Sequence, residues 1–105
     1  MTNQPANAEI GLVFEEIEPL RGQAFMLRIG DEELAFTLTE ARLLKHYVPE
    51  IHPRPPFSLL FHCPDVRIVP QGSYTLAHDT LEVQDMFLVP VAGDANGVSY
   101  EAVYN

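Results

Sequence analysis

The chain has 105 residues, 47% of them apolar and 20% charged, which is typical of one ordinary globular domain and excludes the disordered and fibrous classes. Six basic residues against fifteen acidic ones give a formal net charge of −9, and because nucleic acids and anionic membranes bind clustered Lys and Arg, neither is expected as a partner. The single cysteine excludes an intrachain disulfide, and since there is neither a signal-peptide pattern nor an apolar stretch long enough to cross a bilayer, we expect a cytoplasmic protein.

The N-terminal segment changes character after residue 8. Residues 1–8 carry no pattern and are expected to be a loose lead-in to a single β-rich domain that spans 1–105. Apolar side chains then recur at helical spacing, with glutamates on the other side: Ile10, Val13, Phe14, Ile17 and Leu20. This spacing predicts a short amphipathic helix that Pro19 ends, and the alternative is a strand over 11–14.

Alternating side chains predict six strands in the rest of the chain. The first two, over 23–29 and 34–39, flank turn residues and are predicted to form a hairpin. Four prolines within 47–56 predict a loop. The strand over 57–62 is apolar on both faces, which is typical of a strand that is covered on both sides or lies at an interface. Three more strands are expected over 73–77, 81–89 and 98–104, with Pro90 at an edge or bulge and 93–97 forming a tight connection.

The order of these elements indicates a mainly β fold. Six short strands, one initial helix and no alternation of strands with helices are typical of an antiparallel sandwich or small barrel, and we favour the barrel. The predicted core consists of inward-facing apolar and aromatic side chains: Phe25, Leu27, Ile29, Phe36, Leu38, Leu59, Phe61, Tyr74, Leu76, Leu88 and Tyr100.

Four short motifs support a family resemblance. They are FSLLF at 57–61, VPQGSY at 69–74 followed by His78, MFLVP at 86–90 and YEAVYN at 100–105. Together they resemble a family of small bacterial proteins built on a domain of unknown function. The resemblance implies a compact β domain, sometimes encoded near phage-tail-like or collar-like proteins, and it brings no activity. The chain departs from the family pattern at His62 and Cys63, where a basic residue and a glycine are expected in relatives.

The side chains suited to soft metals do not form a ligand-spacing motif. They are His46, His52, His62, His78 and Cys63. Neighbours on a strand point to opposite sides, so His62 and Cys63 cannot both bind one ion from regular structure. Cys63 is also a poor candidate nucleophile, because a thiolate needs an electropositive setting. We therefore predict neither a metal nor a cofactor.

Other combinations of reactive side chains are equally unspecific. Ser73, His78 and Asp79 are the residue types of a catalytic triad, but no nucleophile-elbow motif accompanies them. Two acidic pairs, Glu15 with Glu18 and Glu82 with Asp85, are interpreted as solvated charges. The segment 94–97 resembles part of a calcium loop but lacks the later oxygen ligands, so a turn is expected.

Two functional hypotheses follow from the pattern. The first is a non-enzymatic protein-interaction or structural module of a bacterial assembly, which binds a protein partner or further copies of itself, because two strands carry more apolar surface than so short a chain is expected to cover. Its candidate interface residues are Phe57, Leu60, Phe87 and Val89. The alternative is a small-ligand barrel or minor enzyme, with a pocket lined by Tyr47, Tyr74, His78 and Tyr100.

Overall fold

Six antiparallel strands form a closed barrel in the computed structural model, which describes residues 12–52 and 54–105. The strands are β1 (Ala24–Ile29), β2 (Glu32–Leu43), β3 (Phe57–Cys63), β4 (Gly72–Ala77), β5 (Glu82–Asp94) and β6 (Gly97–Tyr104). Around the barrel they follow the order β1-β2-β3-β6-β5-β4, and β4 pairs with β1 to complete the ring. The predicted mainly β class and the preference for a barrel over a sandwich are confirmed.

The strand pairing follows from the sequence alternation and its local interruptions. β1 and β2 form the predicted hairpin, in which Ile29 pairs with Glu32 across a turn where Gly30 has a φ of +60°. The expected irregularity at Pro90 is a β-bulge in the pairing of β5 with β6. A second bulge, between β4 and β5, contains Asp85, which has a φ of +56°. Asp accepts this conformation more readily than most residues because its short side chain can bond locally.

The two ends of the barrel are closed by different segments. A single turn of helix, α1 (Phe14–Ile17), and a 3-10 turn over Glu18–Leu20 lie at the end where β3 begins and β6 ends, which we call the helix end. Ile17 is fully buried there. The opposite end, the loop end, is covered by residues 64–71, whose Val69 is buried.

The helical segment is shorter than the sequence pattern predicts. Of the five apolar positions in that pattern, Ile10 lies outside the described residues, as does the predicted lead-in over 1–8. Val13 is extended and precedes the helix, and its N–H donates to the carboxylate of Glu16 at 3.2 Å. The alternative prediction was a strand over 11–14. Its described residues, 12–14, are not in a strand.

The core lies inside the barrel and contains the inward-facing side chains of every strand. Thirteen residues of the described strands have at most 1% exposure, and they are Phe25, Leu27, Phe36, Leu38, Phe57, Leu59, Phe61, Cys63, Leu76, Met86, Leu88, Tyr100 and Ala102. Two residues predicted for the core differ. Ile29 is 37% exposed because it is the last residue of β1, and Tyr74 is only partly buried.

Strand boundaries differ from the prediction mainly at β2 and β5. β2 continues past residue 39 to Leu43, and β5 continues past residue 89 to Asp94, because the bulge at Pro90 allows pairing with β6 to resume at Ala92. The tight connection predicted over 93–97 is therefore only the two residues Ala95 and Asn96. Among the described residues, no helix is long and apolar enough to cross a membrane.

Candidate functional site

An apolar surface lies on the outside of β3, β6 and β5. Side chains alternate along a strand, so the buried residues Tyr100 and Ala102 direct their neighbours on β6 outward. Glu101 on β6 pairs with Leu60 on β3 and with Val89 on β5, and these three form one row across the barrel wall. Phe87 lies two residues before Val89 on β5, and Val103 lies two residues after Glu101 on β6. These two side chains are 50% and 49% exposed. We call Leu60, Phe87, Val89, Glu101 and Val103 the outer face.

Glu101 is the charged residue at the middle of the outer face. It is half-buried between its apolar neighbours, and within the described part of the chain its carboxylate makes no hydrogen bond or ion pair. No cationic side chain of the described residues bonds this carboxylate, so water alone balances its charge. The outer face is therefore an apolar surface with one uncompensated negative charge.

The charges at the edge of this surface are already paired. On β2, Arg42 donates to Glu40 at 2.6 Å, and Glu40 is the residue opposite Leu60. Arg42 belongs to the next row across the barrel wall, in which it pairs with Ser58 on β3 and Ser58 pairs with Val103 on β6. Since Arg42 is held by Glu40, it is not directed to the carboxylate of Glu101.

Three of the four predicted interface residues lie on the outer face. Phe87 is exposed, and Leu60 and Val89 are half-buried. Phe57 is fully buried and stacks on Tyr104 with ring centroids 4.9 Å apart, so its side chain belongs to the core and not to the surface. Val103 also lies on this surface, although it was predicted only as part of the last strand and not as an interface residue. Whether these residues contact a partner stays a prediction.

The four residues proposed for a ligand pocket are divided between the two ends of the barrel. Tyr47 and His78 lie at the helix end, while the hydroxyls of Tyr74 and Tyr100 lie at the loop end. Tyr100 is fully buried and its ring packs against Phe36 at 4.9 Å. These side chains do not surround one cavity.

His78 fastens the turn after β4. Its Nδ1 accepts from the N–H of Thr80 at 3.1 Å, its Nε2 is 2.6 Å from Oε1 of Gln23, and its ring lies 5.2 Å from that of Phe25. Since Nδ1 is the acceptor, the neutral ring donates from Nε2 to Gln23. Both ring nitrogens are thus used to hold the chain.

The two loop-end tyrosines hold residues 64–71 against the barrel. The hydroxyl of Tyr100 accepts from the buried N–H of Val69 at 2.8 Å, and the hydroxyl of Tyr74 donates to the carbonyl of Pro70 at 2.6 Å. Burial also raises the pKa of Tyr100. Both phenols are therefore structural.

Ion pairs hold the same loop. Arg67 pairs with Asp65 and with Glu32 at the start of β2, and its hydrogen bonds lower the pKa of Asp65 to about 2. The loop therefore has a defined position relative to β2, although exposed pairs of this kind contribute little to stability.

A small cleft opens at the helix end. It has a volume of about 230 Å³ and is lined by Val13, Phe14, Glu15, Leu43, Tyr47, Arg54 and Pro55. The guanidinium of Arg54 lies over the rings of Phe57 and Tyr104, at 5.8 and 5.4 Å from their centroids. Burial raises the pKa of Tyr104 to about 12, while the nearby Arg54 lowers it slightly. Ligand pockets are usually about 300 Å³ or larger, so this cleft suits at most a small molecule.

The residues considered for metal binding are dispersed. In the described part of the chain, no group of three or more His, Cys, Asp or Glu side chains could hold a metal ion. His46 and His52 approach each other in the loop before β3, with ring centroids 6.0 Å apart, and Nδ1 of His52 accepts from the N–H of Val48. Cys63 is buried, and its burial raises the pKa of the thiol, which disfavours a nucleophilic thiolate.

Comparisons with known proteins agree with the resemblance drawn from the motifs. No curated protein and no solved structure matches the chain. One family model matches residues 12–104, a range that contains all six strands and the outer face. The chain therefore belongs to the family described as a domain of unknown function, DUF6916.

Proposed function

We propose that this chain is a protein-interaction module that docks onto another protein chain through the outer face. The observation that carries the proposal is the exposure of Phe87 and Val103 beside Leu60 and Val89 on one continuous part of the barrel wall. Contiguous apolar patches on the outside of small domains are typical of interaction sites. The inward-facing residues already form the core of the barrel, so the apolar residues of the outer face are not needed to form it. This supports the proposal that they contact another protein.

The rest of the barrel wall provides the contrast. On β1 and β2, charged side chains face outward and pair with one another, as Arg28 does with Glu33 at 3.0 Å. On β5 and β6, by contrast, the outward-facing residues include the apolar Phe87, Val89 and Val103. The family resemblance supports placing the module in a bacterial assembly, for which a phage-tail-like structure is one setting.

The small-ligand alternative has less geometric support. Its four proposed residues do not converge, and the hydroxyls of Tyr74 and Tyr100 are occupied by the backbone of residues 64–71. Only Tyr47 among them lines the helix-end cleft. Tyr74 lines a separate open groove on the outside of β1, β2 and β4, so Tyr47 and Tyr74 do not contribute to one site.

Site-specific photo-crosslinking in cells of the source organism tests the proposed module. A photoreactive phenylalanine analogue replaces Phe87 or Val103 in separate variants. Met26 provides the control position, because it is an exposed, outward-facing apolar residue on β1, which lies opposite β6 in the ring of strands. We expect the same protein to be crosslinked from positions 87 and 103 and not from position 26.

Serine substitutions provide the second readout. Phe87→Ser and Val103→Ser remove half-exposed apolar side chains from strands, so both variants should remain folded with a modestly lower melting temperature while losing the crosslinks made from the other position. Equal crosslinking from position 26, or crosslinks that survive both serine substitutions, would refute the role of the outer face. Mass spectrometry of the product distinguishes a second copy of this chain from a different protein.

A further inference from the structure

The charge of Glu101 constrains what can cover the outer face. Glu101 lies between Leu60 and Val89, and in the part of the chain that the structure describes its carboxylate has no ion pair or hydrogen bond. A protein that covers this row removes the remaining water from the carboxylate. Covering an ionised group without supplying an opposite charge is strongly unfavourable.

Among residues 12–52 and 54–105, no cationic side chain pairs with Glu101. Arg42 is on β2, which β3 separates from the strand of Glu101, and it pairs with Glu40 at 2.6 Å. His62 lies two residues from Leu60 on β3, opposite Ser99, and makes no ion pair with Glu101. The compensating charge must therefore come from the molecule that binds.

A second copy of this chain does not meet that requirement. In a symmetric dimer the same patch is used twice, so the contact would bring two copies of Glu101 together, and none of the five outer-face residues is cationic. Each chain also has a formal net charge of −9, and like charges at a contact oppose association. Self-association through the outer face is disfavoured for both reasons.

We infer that the partner of the outer face is a different protein, whose contacting surface carries an Arg or Lys side chain among apolar residues and pairs with Glu101. Arg suits this position best, because its guanidinium can bond both carboxylate oxygens and retains few bound waters. The apolar residues then provide contact area, and the Glu101 pair selects the partner. This inference rests on the proposed function and adds the chemistry of the partner.

A peptide-display selection tests the inference with a defined probe. A library of random linear peptides is selected against three immobilised proteins: the natural chain, Glu101→Lys and Glu82→Lys. Glu82 is an exposed glutamate at the start of β5, outside the outer face, so its substitution changes the net charge equally. This control separates pairing at position 101 from the general attraction of basic peptides to an acidic protein.

The expected result is a reversal of charge at position 101 alone. Binders whose affinity depends on Phe87 should contain Arg or Lys when selected on the natural chain or on Glu82→Lys, and Asp or Glu when selected on Glu101→Lys. A peptide selected on the natural chain should bind Glu101→Lys at least about tenfold more weakly and Glu82→Lys within about twofold. Analytical ultracentrifugation of the natural chain should show a monomer.

The possible failures of the two proposals differ. Peptides that depend on Phe87 and Val103 but bind Glu101→Lys equally well would overturn the inference about charge and leave the docking face intact. Peptides that are insensitive to Phe87→Ser and Val103→Ser would count against the docking face itself. A dimer of the natural chain that Phe87→Ser dissociates would overturn the choice of a different protein as partner.

Discussion

Gly97 lies so close to the backbone of a neighbouring segment that a side chain at this position would overlap it. It is the first residue of β6, its φ is +135°, and the chain passes it closely at the end of β3. A Cβ at this position would overlap the carbonyl oxygen of Cys63 and would lie 2.8 Å from Cα of Pro64 and 2.9 Å from the carbonyl carbon of Cys63. All three atoms belong to the backbone, so no side-chain rotation can relieve the overlap.

The substitution Gly97→Ala should therefore be strongly destabilising. Holding a non-glycine residue in a sparsely populated backbone region costs about 1–3 kcal/mol. Displacing the neighbouring backbone of a packed structure adds a cost of about 1–3 kcal/mol. We expect the free energy of unfolding to fall by about 3 kcal/mol or more, which corresponds to a drop in Tm of roughly 12 °C or more for a domain of this size.

Gly93→Ala is the matched control in the same hairpin. Gly93 pairs with Val98 on β6, and a Cβ there would meet its nearest atoms at 3.7 Å, which is ordinary van der Waals contact. Its stability should stay within about 0.5 kcal/mol of the natural chain. Urea unfolding and calorimetry measure both variants. A Gly97→Ala protein within 1 kcal/mol of the natural chain, or equal losses in the two variants, would show that the close approach to β3 is not a constraint.

Three further predictions concern buried reactive groups. Tyr100→Phe removes the acceptor of the buried Val69 N–H and should cost about 1–3 kcal/mol of unfolding free energy in urea, whereas Tyr74→Phe, at a more exposed bond, should cost less than about 1 kcal/mol. Tyr104 should ionise near pH 12 in a spectrophotometric titration. Because its pKa is higher in the folded than in the unfolded state, the folded state keeps the proton to higher pH, and the free energy of unfolding should fall between about pH 10 and 12. Tyr104→Phe should remove this part of the pH dependence. Cys63 should not react with a thiol reagent until the protein unfolds, and rapid labelling of the native chain would contradict its burial.

The fold could be predicted largely because the local signals agree. β1 and β2 alternate strictly and flank a Gly-Asp turn, so their hairpin follows from the sequence. Pro90 cannot donate to a strand ladder, and the bulge appears at that residue. The helix could not be delimited in this way, because helical spacing extends to Leu20 while the chain changes to a 3-10 turn at Glu18.

The outer face could be predicted only in part. In β3 both alternating sets are apolar, so the sequence does not reveal which set faces inward. Alternation does place Phe57 and Leu60 on opposite sides of the strand, so the prediction of both for one surface was wrong for Phe57, which faces inward. The role of Glu101 could not be inferred, because its neighbours Leu60 and Val89 are distant in sequence and meet it only through the register of three strands.

The position of Glu101 also bears on how an apolar patch can remain exposed on the outside of this barrel. An outward row of Leu, Val and Phe on adjacent strands would favour contact with any apolar surface, including another copy of the same patch. A carboxylate at its centre makes every such contact unfavourable unless a cation accompanies it. If the outer face binds a partner as proposed, replacing Glu101 with the neutral Gln should increase both self-association, measured by analytical ultracentrifugation, and the range of peptides that bind in the display selection.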